Sequence, residues 1–345
     1  MRTMHARNMV MATVIAFSLA VFGNAADAET REVRIADQFG LSYLPVYVAL
    51  SEQMFHKRFE AAGLKDVKVT ELKIASGAAA NDALLSENAD LVLGGLTGMF
   101  ILADKTRGTP LEVRGAMAIS DSPIYLTTIN PRINSITDFT DTDRVSMPAA
   151  KGTTHSFIFE LATAQALGWE NRHRLDALAV GMRHPDATVA LLNDREPRTH
   201  SSTVPFLFQE LENPRVHVVY DSYDIVGGRQ TLIVAYTTHK WKTENPKVYE
   251  ATVAALEDAM AFIDKDNMAA ARIYVEHTKS KLGAEQVARW LQQKDAKGRL
   301  LNDYNAAPSR SLMLADYMYK DKLLARKPES WKDYFWDNLY SLPGS

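Results

Sequence analysis

The stretch Val33-Arg34-Ile35-Ala36-Asp37-Gln38-Phe39-Gly40-Leu41-Ser42-Tyr43-Leu44-Pro45-Val46 decides how the rest of the chain is read. Val33 to Ala36 is a short apolar run suited to a strand, and Gly40 marks a polar turn. Pro45 then opens a helix, because a residue in the first turn has no use for the N–H that proline lacks. Strand, polar turn and helix in that order describe the C-terminal edge of a sheet, where open α/β proteins take their ligands.

The same order recurs downstream. Val46, Ala49, Leu50 and Met54 step at helical spacing to a stop near Ala62-Gly63. Val67 to Leu72 alternates as a second strand and runs into the small residues Ser76 to Asn81, which open a helix. Leu91-Val92-Leu93 is a third strand, closed by Gly94 to Gly98 and followed by a helix over Met99 to Lys105. Leu111 to Ile119 is a fourth, ending at Ser120-Asp121-Ser122-Pro123. A second series places strands over Ile124 to Ile129, Arg144 to Pro148, Asp176 to Val180 and Val216 to Tyr220, with a short strand end at Arg198 to Ser201. Helices start there at Phe157, Pro185 and Thr203. After a strand over Gln230 to Tyr236, Tyr249, Val253, Leu256, Met260 and Ile263 define a long helix behind Asn245-Pro246, and helices over 267–277 and 283–293 follow. Alternation with short connections implies βαβ units and parallel sheets. The aromatic tail Trp331 to Tyr340 is expected to dock as packing, through Trp331, Phe335 and Leu339.

Composition narrows the function classes. Arg2, His5 and Arg7 precede an apolar run from Met9 to Phe22, and Ala26-Asp27-Ala28 is a small-x-small cleavage site. This is the order of a secretory signal peptide over 1–28, with an apolar run shorter than the ~20 residues a membrane span needs. No cysteine occurs, which excludes disulfides, thiolate chemistry, cysteine-held metal and a lipid-attachment site. Export without an anchor implies the periplasm. The rest of the chain exceeds the ~250–300 residues at which single cores stop growing, so two lobes are expected. A net charge of −3 with scattered lysine and arginine gives no basic stripe for nucleic acid. Neither a Gly-x-Ser-x-Gly elbow, a His-Glu-x-x-His pair nor a P-loop is present, so the reading is a non-enzymatic binder with no cofactor and no metal.

Taken together, several pieces resemble the periplasmic substrate-binding proteins of ABC importers, in the nitrate/sulfonate/taurine-type family that includes thiamine-pyrimidine binders. They are Val33-Arg34-Ile35 with Leu44 to Ala49, Ser76-Gly77 entering a helix, Ala89 to Val92 before a glycine turn, Ile133 to Phe139, and Val145 to Pro148 leading to Thr153-Thr154-His155. The resemblance implies an α/β fold of the type II periplasmic binding protein kind, two βαβ lobes joined by two crossing strands with a ligand cleft between them. Carried onto this chain, 29–120 with 228–345 would form lobe I and 121–227 lobe II. It further implies a small-molecule ligand, an ABC permease in the inner membrane as partner, and a monomer. The chain departs from the family pattern at Arg198 to Phe206, where many members carry an acidic, tryptophan-containing run.

The strand exits supply the candidate ligand-binding residues: Gln38, Tyr43, Ser76, Gly77, Leu96, Thr97, Ser122, Thr153, Thr154, His155, His200 and Thr203. Free backbone N–H groups at the helix starts make that edge receptive to anions. A helix end contributes ~0.3–1 kcal/mol, up to ~2 when partly buried, whereas micromolar binding requires about 8 kcal/mol. Hydroxyl hydrogen bonds, an aromatic wall such as Tyr43 and exclusion of water must supply the rest. Each serine or threonine can also serve as the N-cap of its own helix. Asp37 reads as a turn-forming residue bonded to its own backbone, since a carboxylate facing the cleft would demand a ligand amine or a basic partner. The expected function is delivery of a small organic anion (sulfonate, carboxylate, nitrate or an amino-substituted relative) to an importer. A pyrimidine (thiamine-precursor) binder and a ligand-sensing receptor are the alternatives, with an enzyme on the same fold ranked behind them.

Overall fold

The computed structural model describes residues 29–345, and the signal-peptide reading of 1–28 lies outside the described residues. The strands are β1 (Glu32–Asp37), β2 (Lys68–Lys73), β3 (Leu91–Gly95), β4 (Val113–Asp121), β5 (Tyr125–Thr128), β6 (Val145–Met147), β7 (Ala179–Gly181), β8 (Thr199–Ser202), β9 (His217–Asp221) and β10 (Thr231–Thr238). They form two five-stranded sheets, ordered β2-β1-β3-β10-β4 and β7-β6-β8-β5-β9.

The expectation of parallel sheets is corrected at one strand in each. β1 pairs in parallel with β2 and β3, and β6 with β7 and β8. β10 runs antiparallel to β3 and β4, and β5 antiparallel to β8 and β9. These are the strands the chain enters straight after passing from one sheet to the other, through 122–124 and 222–230. A βαβ crossover returns the chain to the end where the previous strand began, whereas a direct crossing starts the new strand where its neighbours end.

The two crossings are tied side by side. The Ile124 N–H donates to Ser222 Oγ at 2.8 Å, the Ser222 N–H donates to the Ile124 carbonyl at 2.9 Å, and Gln230 Nε2 donates to the same Ser222 Oγ at 3.1 Å. Asp121 at the end of β4 is fully buried and accepts from Thr231 Oγ1 at 2.9 Å and Ser309 Oγ at 2.8 Å.

The opening stretch forms its strand, then a helix over Leu44–Ser51 with Pro45 in the first turn. Leu44 through Ala49 are all buried, so this helix is covered on every side. The single helix expected to run on to Ala62 is interrupted at Gln53, whose φ of 54° is left-handed, and resumes over Met54–Ala61. The aromatic tail docks as expected, though as short 3₁₀ turns over Trp331–Tyr334 and Asp337–Leu339 rather than a helix. Its Trp336 N–H donates to the Gly115 carbonyl of β4 at 2.9 Å, and the Phe335 ring lies where a Gly115 Cβ would stand, at 2.4 Å.

Candidate functional site

The exits of the two sheets face each other across a cleft. One wall comes from the turn after β1 and from the helix starts at Gly77 and Leu96, the other from the helix start at Thr154, the segment Arg183-His184 and the segment Thr203-Val204. The walls touch. The Leu41 N–H donates to the Val204 carbonyl at 3.3 Å, and Thr97 Oγ1 lies 3.1 Å from Thr154 Oγ1. Gly40 permits the first contact: its φ is 132°, and a Cβ would stand 3.2 Å from the Val204 carbonyl oxygen.

Of the residues expected at the cleft, Gln38, Tyr43, Gly77, Thr153, Thr154, His155 and Thr203 line it. Thr153 also serves its own helix, since its hydroxyl accepts from the Ser156 N–H at 3.2 Å. The others are placed differently. Ser76 caps its helix by accepting from the Ala79 N–H at 3.3 Å, while its neighbours Ala75 and Gly77 reach the cleft. Leu96 packs in the core, and Thr97 is fully buried behind Thr154. Ser122 donates to the Leu301 carbonyl at 3.1 Å within the crossing. His200 is fully buried and stands behind His184.

Asp37 is corrected too. In the parallel register it lies opposite Lys73, and the Lys73 Nζ reaches its Oδ2 at 2.6 Å. Burial pushes the Asp37 carboxyl up, against the pull of Lys73. The ammonium also contacts Glu71 at 2.7 Å and lies 4.1 Å from the centre of the Tyr47 ring. The basic partner of Asp37 is therefore internal, and no carboxylate lines the cleft among the described residues.

Several lining residues were not expected from the sequence: Phe39, Arg183, His184, Leu232, Ile233 and Tyr236. His184 could have been found, because Arg183-His184-Pro185 repeats the proline-opened helix start of Leu44-Pro45 at the exit of β7. Tyr236, in the middle of β10, carries no such signal. Its hydroxyl donates to Asn81 Oδ1 at 2.6 Å. Phe39, Val204, Leu232 and Ile233 give the cleft an apolar body, and Arg183, 5.9 Å from the Phe39 ring centre and paired with Asp186 at 2.8 Å, is its one cation among the described lining residues.

Three histidines meet on the second wall. His155 Nδ1 lies 2.9 Å from Ser201 Oγ, and His184 Nδ1 lies 2.8 Å from His200 Nε2. His200 Nδ1 donates to Glu210 Oε1 at 2.6 Å. Glu210, fully buried on the helix Phe206–Leu211, also accepts from Thr188 Oγ1 at 2.7 Å and, through Oε2, from Thr127 Oγ1 at 2.7 Å. Burial opposes its charge, but His200 and these hydroxyls hold the carboxyl below its ordinary range. Burial, reinforced by His200, pushes His155 down to about 3 and His184 well below the ordinary histidine value. Both are neutral, and neither Nε2 has a hydrogen-bond partner among the described residues. The Tyr43 hydroxyl, the Thr203 hydroxyl and the Gln38 amide are likewise without partners there.

A different cluster lies away from the cleft, where Glu160, His173 and Asp321 bring ligand-type atoms within 4.8 Å of one another. Arg172 already occupies Asp321, and His173 Nδ1 contacts Asp176 at 3.1 Å. Glu160 makes no hydrogen bond among the described residues, and burial with the charges of Asp176 and Asp321 pushes it up to about 8.

Two sheets joined by two crossing segments, with the cleft at facing strand exits, define the α/β fold of type II periplasmic binding proteins. No protein-family model matches the chain, and no curated protein does. Solved structures similar to it include the alkanesulfonate-binding protein SsuA of Xanthomonas axonopodis pv. citri bound to MOPS, at 14% identity and a TM-score of 0.65 over 87% of this chain and 96% of that one. The periplasmic aliphatic sulphonate binding protein SsuA of Escherichia coli is 17% identical, with a TM-score of 0.63 over 90% and 99%. The periplasmic nitrate-binding protein NrtA of Synechocystis PCC 6803 is 13% identical, with a TM-score of 0.68 over 88% and 84%.

Proposed function

We propose that this chain is a solute-binding receptor of the nitrate/sulfonate/taurine type, which takes a small organic anion with an apolar body and delivers it to an ABC permease. The observation that carries the reading is the cleft itself. Its polar atoms without partners among the described residues, the Gln38 amide, the Tyr43 and Thr203 hydroxyls and Nε2 of His155 and His184, belong to residues that line with Arg183 an apolar interior to which no carboxylate contributes. An anion gains from donors and a nearby cation and meets no opposing charge. The fold's likeness to sulfonate- and nitrate-binding proteins supports the same reading. The chain is a binder rather than an enzyme, works as a monomer in the periplasm after removal of 1–28, and divides into lobe I (29–120 with 228–345) and lobe II (121–227). Closure of the lobes on ligand presents the surface the permease engages.

A thermal-shift panel of aliphatic and aromatic sulfonates, carboxylates, nitrate and pyrimidines tests this. A true ligand at a hundred times its Kd stabilises by about 2.7 kcal/mol. Stabilisation by pyrimidines alone would replace the anion with a thiamine precursor. No response to any member from folded protein would end the reading. Ligand uptake that persists after deletion of the permease would favour a sensor.

A further inference from the structure

The second wall of the cleft is backed by a chain of hydrogen bonds that the anion reading does not need but that constrains it. Glu210, His200 and His184 are joined by contacts of 2.6 and 2.8 Å, and His184, which lines the cleft, keeps its far nitrogen, Nε2, without a partner among the described residues. The other charged or titratable groups around the pair are His155 on the helix Thr154–Leu167, Arg183 with its partner Asp186, and Tyr220 on β9.

Resting on the anion reading, we propose that Glu210 and His200 are positioning residues that set whether His184 donates or accepts at the ligand, so that the cleft takes up one proton with each anion it binds. The argument is a count of protons. Glu210 accepts from three donors, so His200 carries a proton on Nδ1 in every state. The 2.8 Å bond between His200 Nε2 and His184 Nδ1 needs one proton between them. If His200 is neutral, its Nε2 accepts, His184 must carry its proton on Nδ1, and His184 Nε2 presents a lone pair to the cleft. That lone pair repels an anion and suits an N–H or O–H donor.

One added proton reverses the end of the chain. With His200 an imidazolium beside the Glu210 carboxylate, its Nε2–H donates to His184 Nδ1, and His184, itself neutral, turns Nε2–H toward the ligand. The remaining neutral tautomer would set two lone pairs against each other at 2.8 Å. The charge thus stays inside the wall, next to its counter-charge, while the cleft receives a neutral donor. Stacking of His184 on Phe206, with ring centres 5.4 Å apart and planes 18° from parallel, fixes the direction of that donor. Burial keeps the His184 ring neutral, as this arrangement requires.

Titration calorimetry with ethanesulfonate, whose own acid group stays ionised throughout, in buffers of different ionisation heat tests the proposal. Uptake close to one proton per sulfonate is expected at the higher of two pH values and falls toward none at the lower, as the ligand-free chain comes to carry the proton itself. Sulfonate binding with no proton uptake at either pH overturns it. Glu210→Gln keeps an acceptor for His200 Nδ1–H and removes the counter-charge. It should lower the pH at which affinity declines by about one unit or more, equivalent to tenfold or more in Kd at the alkaline end. An unchanged profile in the folded variant also overturns the proposal. Imidazole ¹⁵N shifts of the ligand-free wild-type protein across the same pH range separate this from failure of the anion reading and need no variant to fold. His184 Nε2 should gain its proton in the same transition in which His200 becomes cationic, and an Nε2 that stays unprotonated through that transition rejects the chain even if no sulfonate binds.

Discussion

Two buried glutamates on the second-sheet side of the molecule have opposite fates. Glu210 and Glu160 are 0% and 6% exposed, so burial penalises the charge of both. Glu210 receives three donors and stays ionised, whereas Glu160 receives none among the described residues and is pushed up to about 8 by burial and by Asp176 and Asp321. What separates them is the set of donors that the fold brings to each oxygen. The first is held in place by the strand and helices that form the cleft wall, and the second lies at the contact with the C-terminal segment.

The sharpest break of this contrast is Glu210→Leu. It strands Thr188 and His200 as buried donors without an acceptor, while Thr127 keeps the His200 carbonyl at 3.1 Å, and loss of one partner from a buried charged network costs about 3–5 kcal/mol. Urea unfolding should show that loss, and a change under 1 kcal/mol would mean the network is not under load. Glu160→Gln should do the reverse. A carboxyl whose folded pKa is raised from 4.5 to about 8 favours folding below its unfolded value and weighs against it as pH climbs through that window. The amide should therefore stabilise the protein by about 2–4 kcal/mol at alkaline pH, with the gain fading on acidification. Equal stability of the two proteins at about pH 8 would show that Glu160 has found donors in solution.

His155 is an intermediate case, a buried group with a single partner. Its pKa is lowered from 6.5 to about 3, so the folded protein keeps it neutral where the unfolded chain would charge it. The sign is then the opposite of that for Glu160, and stability should fall as pH drops from about 6.5 toward 3, by about 2 kcal/mol at pH 5. His155→Gln should flatten that part of the stability profile, and an identical acid limb in the variant would assign it to other groups.

The same distinction explains what could be read from the sequence. Turns that open helices are local, so the exits at Gln38, Gly77, Thr153 and Thr203 were legible from glycine, hydroxyl and proline spacing. Partnerships across sheets are not local. Nothing near Asp37 announces Lys73, which reaches it through register, and nothing near His200 announces Glu210 or Thr127. Hydroxyls in particular look alike in sequence whether they face a cleft or cap their own helix, so Ser76 and Ser122 read the same as Thr203. The direct crossings at 122–124 and 222–230 reverse β5 and β10 for a topological reason that strand propensity does not encode.

The smallest expected effect tests the contrast at the cleft itself, with two tyrosines in place of two glutamates. Tyr236 and Tyr43 both line it, and both are nearly fully buried, at 1% and 5% exposure. The Tyr236 hydroxyl is committed to Asn81 at 2.6 Å, while the Tyr43 hydroxyl has no partner among the described residues. Tyr236→Phe should therefore lower stability by about 1 kcal/mol, because it leaves the Asn81 oxygen without its donor, and should change ligand affinity little. Tyr43→Phe should leave stability nearly unchanged and weaken the ligand by about 1 kcal/mol, roughly fivefold in Kd, provided that hydroxyl is kept for the ligand. Unfolding and calorimetry on the two variants read both quantities. Reversal of the pattern would show that Tyr43 is a structural residue of the turn and that the ligand lies nearer β10.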